Sequence, residues 1–289
     1  GMRLRQVCNE SGLNHYMGIA ISAFVATIIA WASTLLPAEW TSTPWHPLLA
    51  CALFIVPGVP LINFVDDMLD NYIQVGIVRA VNTLLMVAAM AFGIAFAVKL
   101  CHIENFFPTI SMVPHHQYWE YAIAAAISAM GFSMIFNIQR RLLWVVAIGG
   151  IIAVCTRNFV NLGPSTDNIG LDMGLVIGSF SGAVLVSLIA IKAVHWFHVP
   201  NHVLTIPSVI PMIPGVLMYR MLFGIININV QSIDQVTPLM KAIESGVNSG
   251  LVIMCIALGV AIPNIFGRRF IASSKNKRLA ELLKERKAR

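Results

Sequence analysis

The sequence predicts an all-α protein: a polytopic transmembrane helical bundle of about eight spans, with an inverted-topology repeat and broken helices. Three observations predict it: a composition too poor in charge to face water, a succession of apolar runs long enough to cross a bilayer, and prolines at matching places in two of those runs. Of 289 residues, 57% are hydrophobic and only 11% are charged, and mean hydropathy is +0.78. Soluble domains carry about 25% charged residues, so this chain cannot cover a water-facing surface. Lipid must be its solvent.

A hydrocarbon core about 30 Å thick needs ~20 mostly apolar residues per helix. The first run, 16–37, closes at Pro37, and the second, 46–65, closes at Asp66. The third, 76–98, follows the polar turn 66–72 and stops before Lys99. The fourth, 119–137, follows a loop carrying His102, His115 and His116; the fifth, 141–159, is set off by Gln139 to Arg141. The sixth, 170–195, follows the turn 161–168. The seventh, 203–226, opens after Pro200, and the eighth, 242–266, runs into the basic tail. Backbone polar groups in lipid must be satisfied internally, so runs of this length are helices. The first run is long and followed by more, so it reads as a span and not as a cleavable leader.

The formal charge is +6, but its placement argues against nucleic acid. Arg268, Arg269, Lys275, Lys277, Arg278, Lys284, Arg286, Lys287 and Arg289 crowd the final stretch. Such a tail reads as a cytoplasmic anchor against anionic headgroups. Eight spans then put the N-terminus in the cytoplasm too, with Arg3, Arg5, Arg140, Arg141 and Lys192 inside and only Lys99, Arg157 and Lys241 outside. The expected organisation is a cytoplasmic segment 1–15, three helices over 16–101, an extracytoplasmic loop 102–118, five helices over 119–267 and a basic cytoplasmic tail 268–289. The protein is expected in a bacterial inner membrane, with the lipid bilayer as partner. Five scattered cysteines and neighbouring loop histidines lack metal-ligand spacing, so neither metal nor cofactor is expected.

An internal repeat organises the spans. Residues 17–24 in the first span resemble 173–180 in the sixth. Pro57-Gly58-Val59 in the second answers Pro214-Gly215-Val216 in the seventh. Residues 80–83, with Asn82, answer 246–249, with Asn248, and Gly93 answers Gly259. Matched spans are five apart, an odd number, so the copies cross the membrane in opposite senses. That plan recurs in secondary transporters; a merely structural duplication is the plainer reading. Two helices precede the second copy and none precedes the first, which suggests a truncated chain or a partner supplying the missing pair.

Pro57 and Pro60 interrupt the second span, and Pro207, Pro211 and Pro214 the seventh. Proline costs about 3 kcal/mol inside a helix and survives in lipid only where protein or a watery cavity satisfies the freed groups. Half-helix ends at such breaks offer N–H groups to a carboxylate and carbonyls to a cation. The alternative is an ordinary kink. Asn63 follows the first break, and Asp172 and Arg220 lie within or near spans, where ionisable groups cost roughly 2.5–3.5 kcal/mol on insertion scales. Asp66, Asp67 and Asp70 precede Arg79 across a short turn; a proton-coupled carboxylate and a solvated helix end are both open readings. No hydrolase, protease or phosphate-loop signature appears, so no enzyme is expected.

Pro57-Gly58-Val59-Pro60-Leu61-Ile62-Asn63, followed by Asp67, Gly76 and Arg79, resembles the signature of the threonine/serine exporter family. Residues 129–132, Asn137, Arg140-Arg141, Val199-Pro200, Ile213-Pro214-Gly215 and Tyr219-Arg220 resemble its second unit. The resemblance covers nearly the whole chain. It implies ten helices in two five-helix units, sometimes on separate chains, exporting L-threonine and L-serine at the expense of the proton gradient. It also implies substrate and coupling roles for Pro57, Gly58, Pro60, Asn63, Asp67, Arg79, Pro214, Gly215 and Arg220, to which the repeat adds Asn82 and Asn248. The chain departs from the family in lacking the first two helices. It also carries Asn71 where glycine is common, although asparagine tolerates the left-handed backbone such a turn needs. A homo-oligomer, a non-transporting scaffold and a subunit of a split transporter are the alternative states.

Overall fold

The computed structural model describes residues 2–32, 58–101, 117–164, 169–197, 199–226 and 236–287. Pro57, most of the predicted loop 102–118 and the stretch 227–235 fall outside these residues. Every regular element among the described residues is helical: α1 (Met2–Glu10), α2 (His15–Trp31), α3 (Gly58–Leu69), α4 (Ile73–Leu100), α5 (Tyr118–Ile135), α6 (Leu143–Asn161), α7 (Gly174–Phe197), α8 (Asn201–Val209), α9 (Gly215–Ile226) and α10 (Val236–Lys287). Among the described residues, four helical stretches are long and apolar enough to cross a membrane: Ile73–Leu100, Arg140–Asn161, Gly174–Ala193 and Leu239–Gly267. Bulky apolar side chains such as Phe92, Trp144 and Leu84 stay more than 65% exposed, as helices solvated by lipid require.

The helices form two compact units, Gly1–Pro114 with Pro214–Ile253 and His115–Ile213 with Met254–Arg289. In the first unit, Asn14 caps α2 by accepting from the Tyr16 N–H at 2.9 Å, which satisfies an orphan donor. Ile19, Ala23 and Ala30 of α2 then pack on Met86, Met90, Ile94 and Val98 of α4. Spacings of four and seven residues put each set on one helical face. Gly93 allows this contact: a Cβ there would collide with the backbone of Ala20.

The α3–α4 turn is closed by Asn71 at φ 68°. Tyr72 N donates to Asp67 O at 2.9 Å and Asn71 N to Met68 O at 3.2 Å. That is the Schellman pattern, with asparagine in the left-handed position usually held by glycine, as expected from the sequence. Asn137, at φ 54°, ends α5 the same way, through Ile138 N to Ser133 O and Asn137 N to Met134 O.

In the second unit, α5, α6, α7 and α8 pack through small residues. A Cβ on Gly150 would meet Ala129 and Ala125, and one on Gly178 or Gly182 would press on the carbonyls of Arg157 or Ala153. Beyond α6, the segment 171–173 donates to carbonyls at the helix end, Leu171 N to Phe159 O and Met173 N to Val160 O. Gly259 of α10 lies against Phe180 and Ala183 of α7. Pro263, inside α10, removes a backbone donor, and Ser187 of α7 donates to the nearby Val260 carbonyl at 3.0 Å.

Candidate functional site

In the first unit α3 starts at Gly58, which is buried. Pro60 lies in the first described turn of α3. Asn63 and Asp67 follow at four-residue spacing and share a face. A Cβ on Gly76 would run into Met68 and the Phe64 carbonyl, so α3 and α4 lie in close contact beside the turn. That approach brings Arg79 Nη1 to 2.5 Å from Asp67 Oδ2, with the two side chains 49% and 22% exposed. The structure therefore pairs Asp67 with Arg79, two charged residues that the sequence places on either side of one short turn. Asn82, three residues past Arg79 on α4, accepts a 2.7 Å hydrogen bond from the Tyr16 hydroxyl, a contact bridging sixty-six residues that sequence spacing does not reveal.

Pro214, Gly215, Arg220 and Asn248 belong to the same unit. α9 starts at Gly215, again buried, and Met218 N donates to the Pro214 carbonyl at 3.1 Å. Arg220 is half-buried and Asn248, on α10, is exposed. Asn63 and Asn248 make no side-chain hydrogen bond among the described residues. The repeat offsets that match Gly58 with Gly215 and Asn82 with Asn248 put Gly224 opposite Asp67 and Ser245 opposite Arg79. The charged pair thus exists in one copy only. Gly224 instead packs on Ala242, the position that the repeat matches to Gly76.

The seventh predicted span is broken where its prolines lie. α8 passes into a 3₁₀ turn, Ile210–Met212, then an extended Ile213 with φ −63° and ψ 128°, before α9 begins. Ile213 N bonds to the Ile210 carbonyl at 3.0 Å, and Pro214 has no N–H to give it. Pro207 is accommodated inside α8, where Ser208 donates to Leu204 O and Val146 O.

One residue of the second unit was not among the sequence candidates. Arg157 lies in α6, inside the apolar window Arg140–Asn161. Its Nη1 donates to the Met212 carbonyl, exposed by the break, in a long 3.4 Å contact, and its Nε to Asn158 Oδ1 at 3.3 Å. Asn158 is 2% exposed. The sequence signal was present, since a charged residue within a span is a functional candidate by default; counting Arg157 among outer-face charges concealed it. Among the described residues no group of three or more metal-ligating side chains occurs.

Residues 121–266 match the family model described as "Threonine/Serine exporter, ThrE", and residues 1–101 match a second model of the same exporter family. The chain is 34% identical over 99 residues to a protein of Klebsiella aerogenes named "Probable succinate transporter subunit YjjP". It is 32% identical over 99 residues to the protein of the same name from Escherichia coli K12. Each match spans 34% of this chain and 38% of the relative's length. No solved structure matches the chain.

Proposed function

Because the chain belongs to the threonine/serine exporter family, a family of transporters and not of enzymes, we propose that it is a secondary transporter exporting L-threonine and L-serine, driven by the proton gradient. It works in the bacterial inner membrane with both termini cytoplasmic. The observation that carries this reading is the interrupted helix at Ile210 to Pro214: in a membrane protein such irregular backbone is tolerated only against protein or a watery cavity, and transporters build substrate sites there. The buried Gly58 at the start of α3 is the matching position in the other copy. The repeat itself gains support from Gly93 and Gly259, paired by sequence. Each lies against backbone of the α2 or α7 helix that the repeat also pairs.

Transport proceeds by alternating access about the two breaks, with substrate carboxylate held at a half-helix end and Asp67 carrying the coupling proton. A proton on Asp67 removes the charge that Arg79 meets at 2.5 Å, which releases Arg79 and loosens α3 from α4. A second reading follows from the relatives' name: the solute is a dicarboxylate and the chain is one subunit of a two-chain transporter. Both solutes carry a carboxylate. Counterflow of labelled threonine, serine and succinate into proteoliposomes separates the readings. Uptake of either amino acid by this chain alone supports export of small amino acids, and uptake of succinate alone supports the second. A folded protein that exchanges none of them, even with added partner chain, is a scaffold.

A further inference from the structure

We propose that Arg157 and Asn158 form a carboxylate-recognition site in the second unit, binding the acid group of the transported solute; this rests on the transport reading and adds the residues that would hold the solute. Arg157 is a guanidinium within an apolar span, and among the described residues it forms no ion pair with a carboxylate. Its two hydrogen bonds go to neutral oxygens, Asn158 Oδ1 and the Met212 carbonyl. Those partners orient the group and carry no net charge. A guanidinium has five N–H donors, and a charged group held in a low dielectric calls for an opposite charge.

The second observation is independent of the charge. Asn158 is 2% exposed, yet among the described residues its Nδ2 has no hydrogen-bond partner. The bond from Arg157 Nε to Oδ1 fixes which end of the amide faces away, so the orphan atom is a donor. A buried donor without an acceptor costs about 1–3 kcal/mol, and few native groups are left so. An orphan amide donor thus lies beside a guanidinium whose acceptors are both neutral. A planar carboxylate, with two oxygens and one negative charge, satisfies both. The arrangement is also stiff. Gly178 and Gly182 hold α7 on α6 at Arg157 and Ala153, and Arg157 reads the Met212 carbonyl at the break. Movement of the broken segment would therefore reposition the guanidinium.

The test uses the full chain in proteoliposomes and in detergent, with threonine, succinate, the decarboxylated amine of threonine and sodium chloride as probes. Wild type is expected to be stabilised thermally by threonine or succinate, and not by the amine or by chloride. Arg157→Gln is expected to raise the half-saturating solute concentration in counterflow about tenfold or more, the loss of one charged hydrogen-bonding partner. Should Arg157→Gln fail to fold, Asn158→Asp decides: its carboxylate answers Arg157 internally, so the protein stays monodisperse while stabilisation by solute disappears. An unchanged half-saturation in either folded variant overturns the site and leaves the transport reading standing. Thermal stabilisation of wild type that Asn158→Asp abolishes, without counterflow, supports the site and sinks the transport reading. Stabilisation by chloride equal to that by the acids overturns the carboxylate assignment.

Discussion

Replacing Asp67 by asparagine separates what the Asp67–Arg79 pair does for function from what it does for stability. The atoms lie 2.5 Å apart, but the arginine is 49% exposed, so water screens the attraction. Exposed pairs contribute about 0.2–1 kcal/mol, and asparagine keeps an oxygen that can accept from Arg79. Stability should therefore fall by no more than about 1 kcal/mol, a melting shift of a few degrees. Transport should change in kind. An amide cannot take up and release a proton, so efflux of labelled threonine from loaded proteoliposomes should run at one rate with or without an imposed pH gradient, whereas wild type should respond to it. An undiminished gradient response in folded Asp67→Asn would refute the coupling role. A stability loss of several kcal/mol, read by thermal melting in detergent, would show instead that the pair is part of the packing.

Gly93→Ala and Gly259→Ala should each cost about 1–3 kcal/mol by overpacking, because the added methyl meets backbone of α2 or α7. Gly250→Ala, with open space around it, should gain up to about 1 kcal/mol of helix propensity; equal melting shifts for all three would contradict the packing. Asn71→Gly should melt within a degree or two of wild type. Asn71→Val should lose about 1–2 kcal/mol, since a β-branched residue resists φ 68°, and a silent valine variant would remove the turn argument. Tyr16→Phe should cost about 1 kcal/mol by removing the bond to Asn82; if substrate half-saturation moves as well, Asn82 contributes to the site and does not merely brace α2 on α4.

What was legible in the sequence was local. The polar turn 66–72 and the asparagine in it were readable because a left-handed residue leaves a composition signal, and the turn in turn placed Arg79 back on Asp67. Prolines announced the break in the seventh span. They did not announce its form, because the choice between a kink and a 3₁₀ turn with an extended Ile213 depends on what packs around the freed carbonyls. Arg157 was hidden for a related reason. A single arginine near the end of an apolar run looks interfacial until the chain returns, fifty-five residues later, to bring the Met212 carbonyl beside it. Tyr16 and Asn82 were likewise hidden by separation, since neither residue type nor spacing predicts a pairing between α2 and α4.

The length of α10 has a mechanical consequence. Its 52 residues are more than twice the ~20 that a hydrocarbon core of about 30 Å requires. The stretch after Gly267 is a rod of roughly 30 Å attached to the membrane-crossing window. A tilt of about 10° at that window displaces the far end by about 5 Å. A spin or fluorescent label near Lys287 would therefore act as a pointer, magnifying motions of the span that are too small to follow inside the lipid.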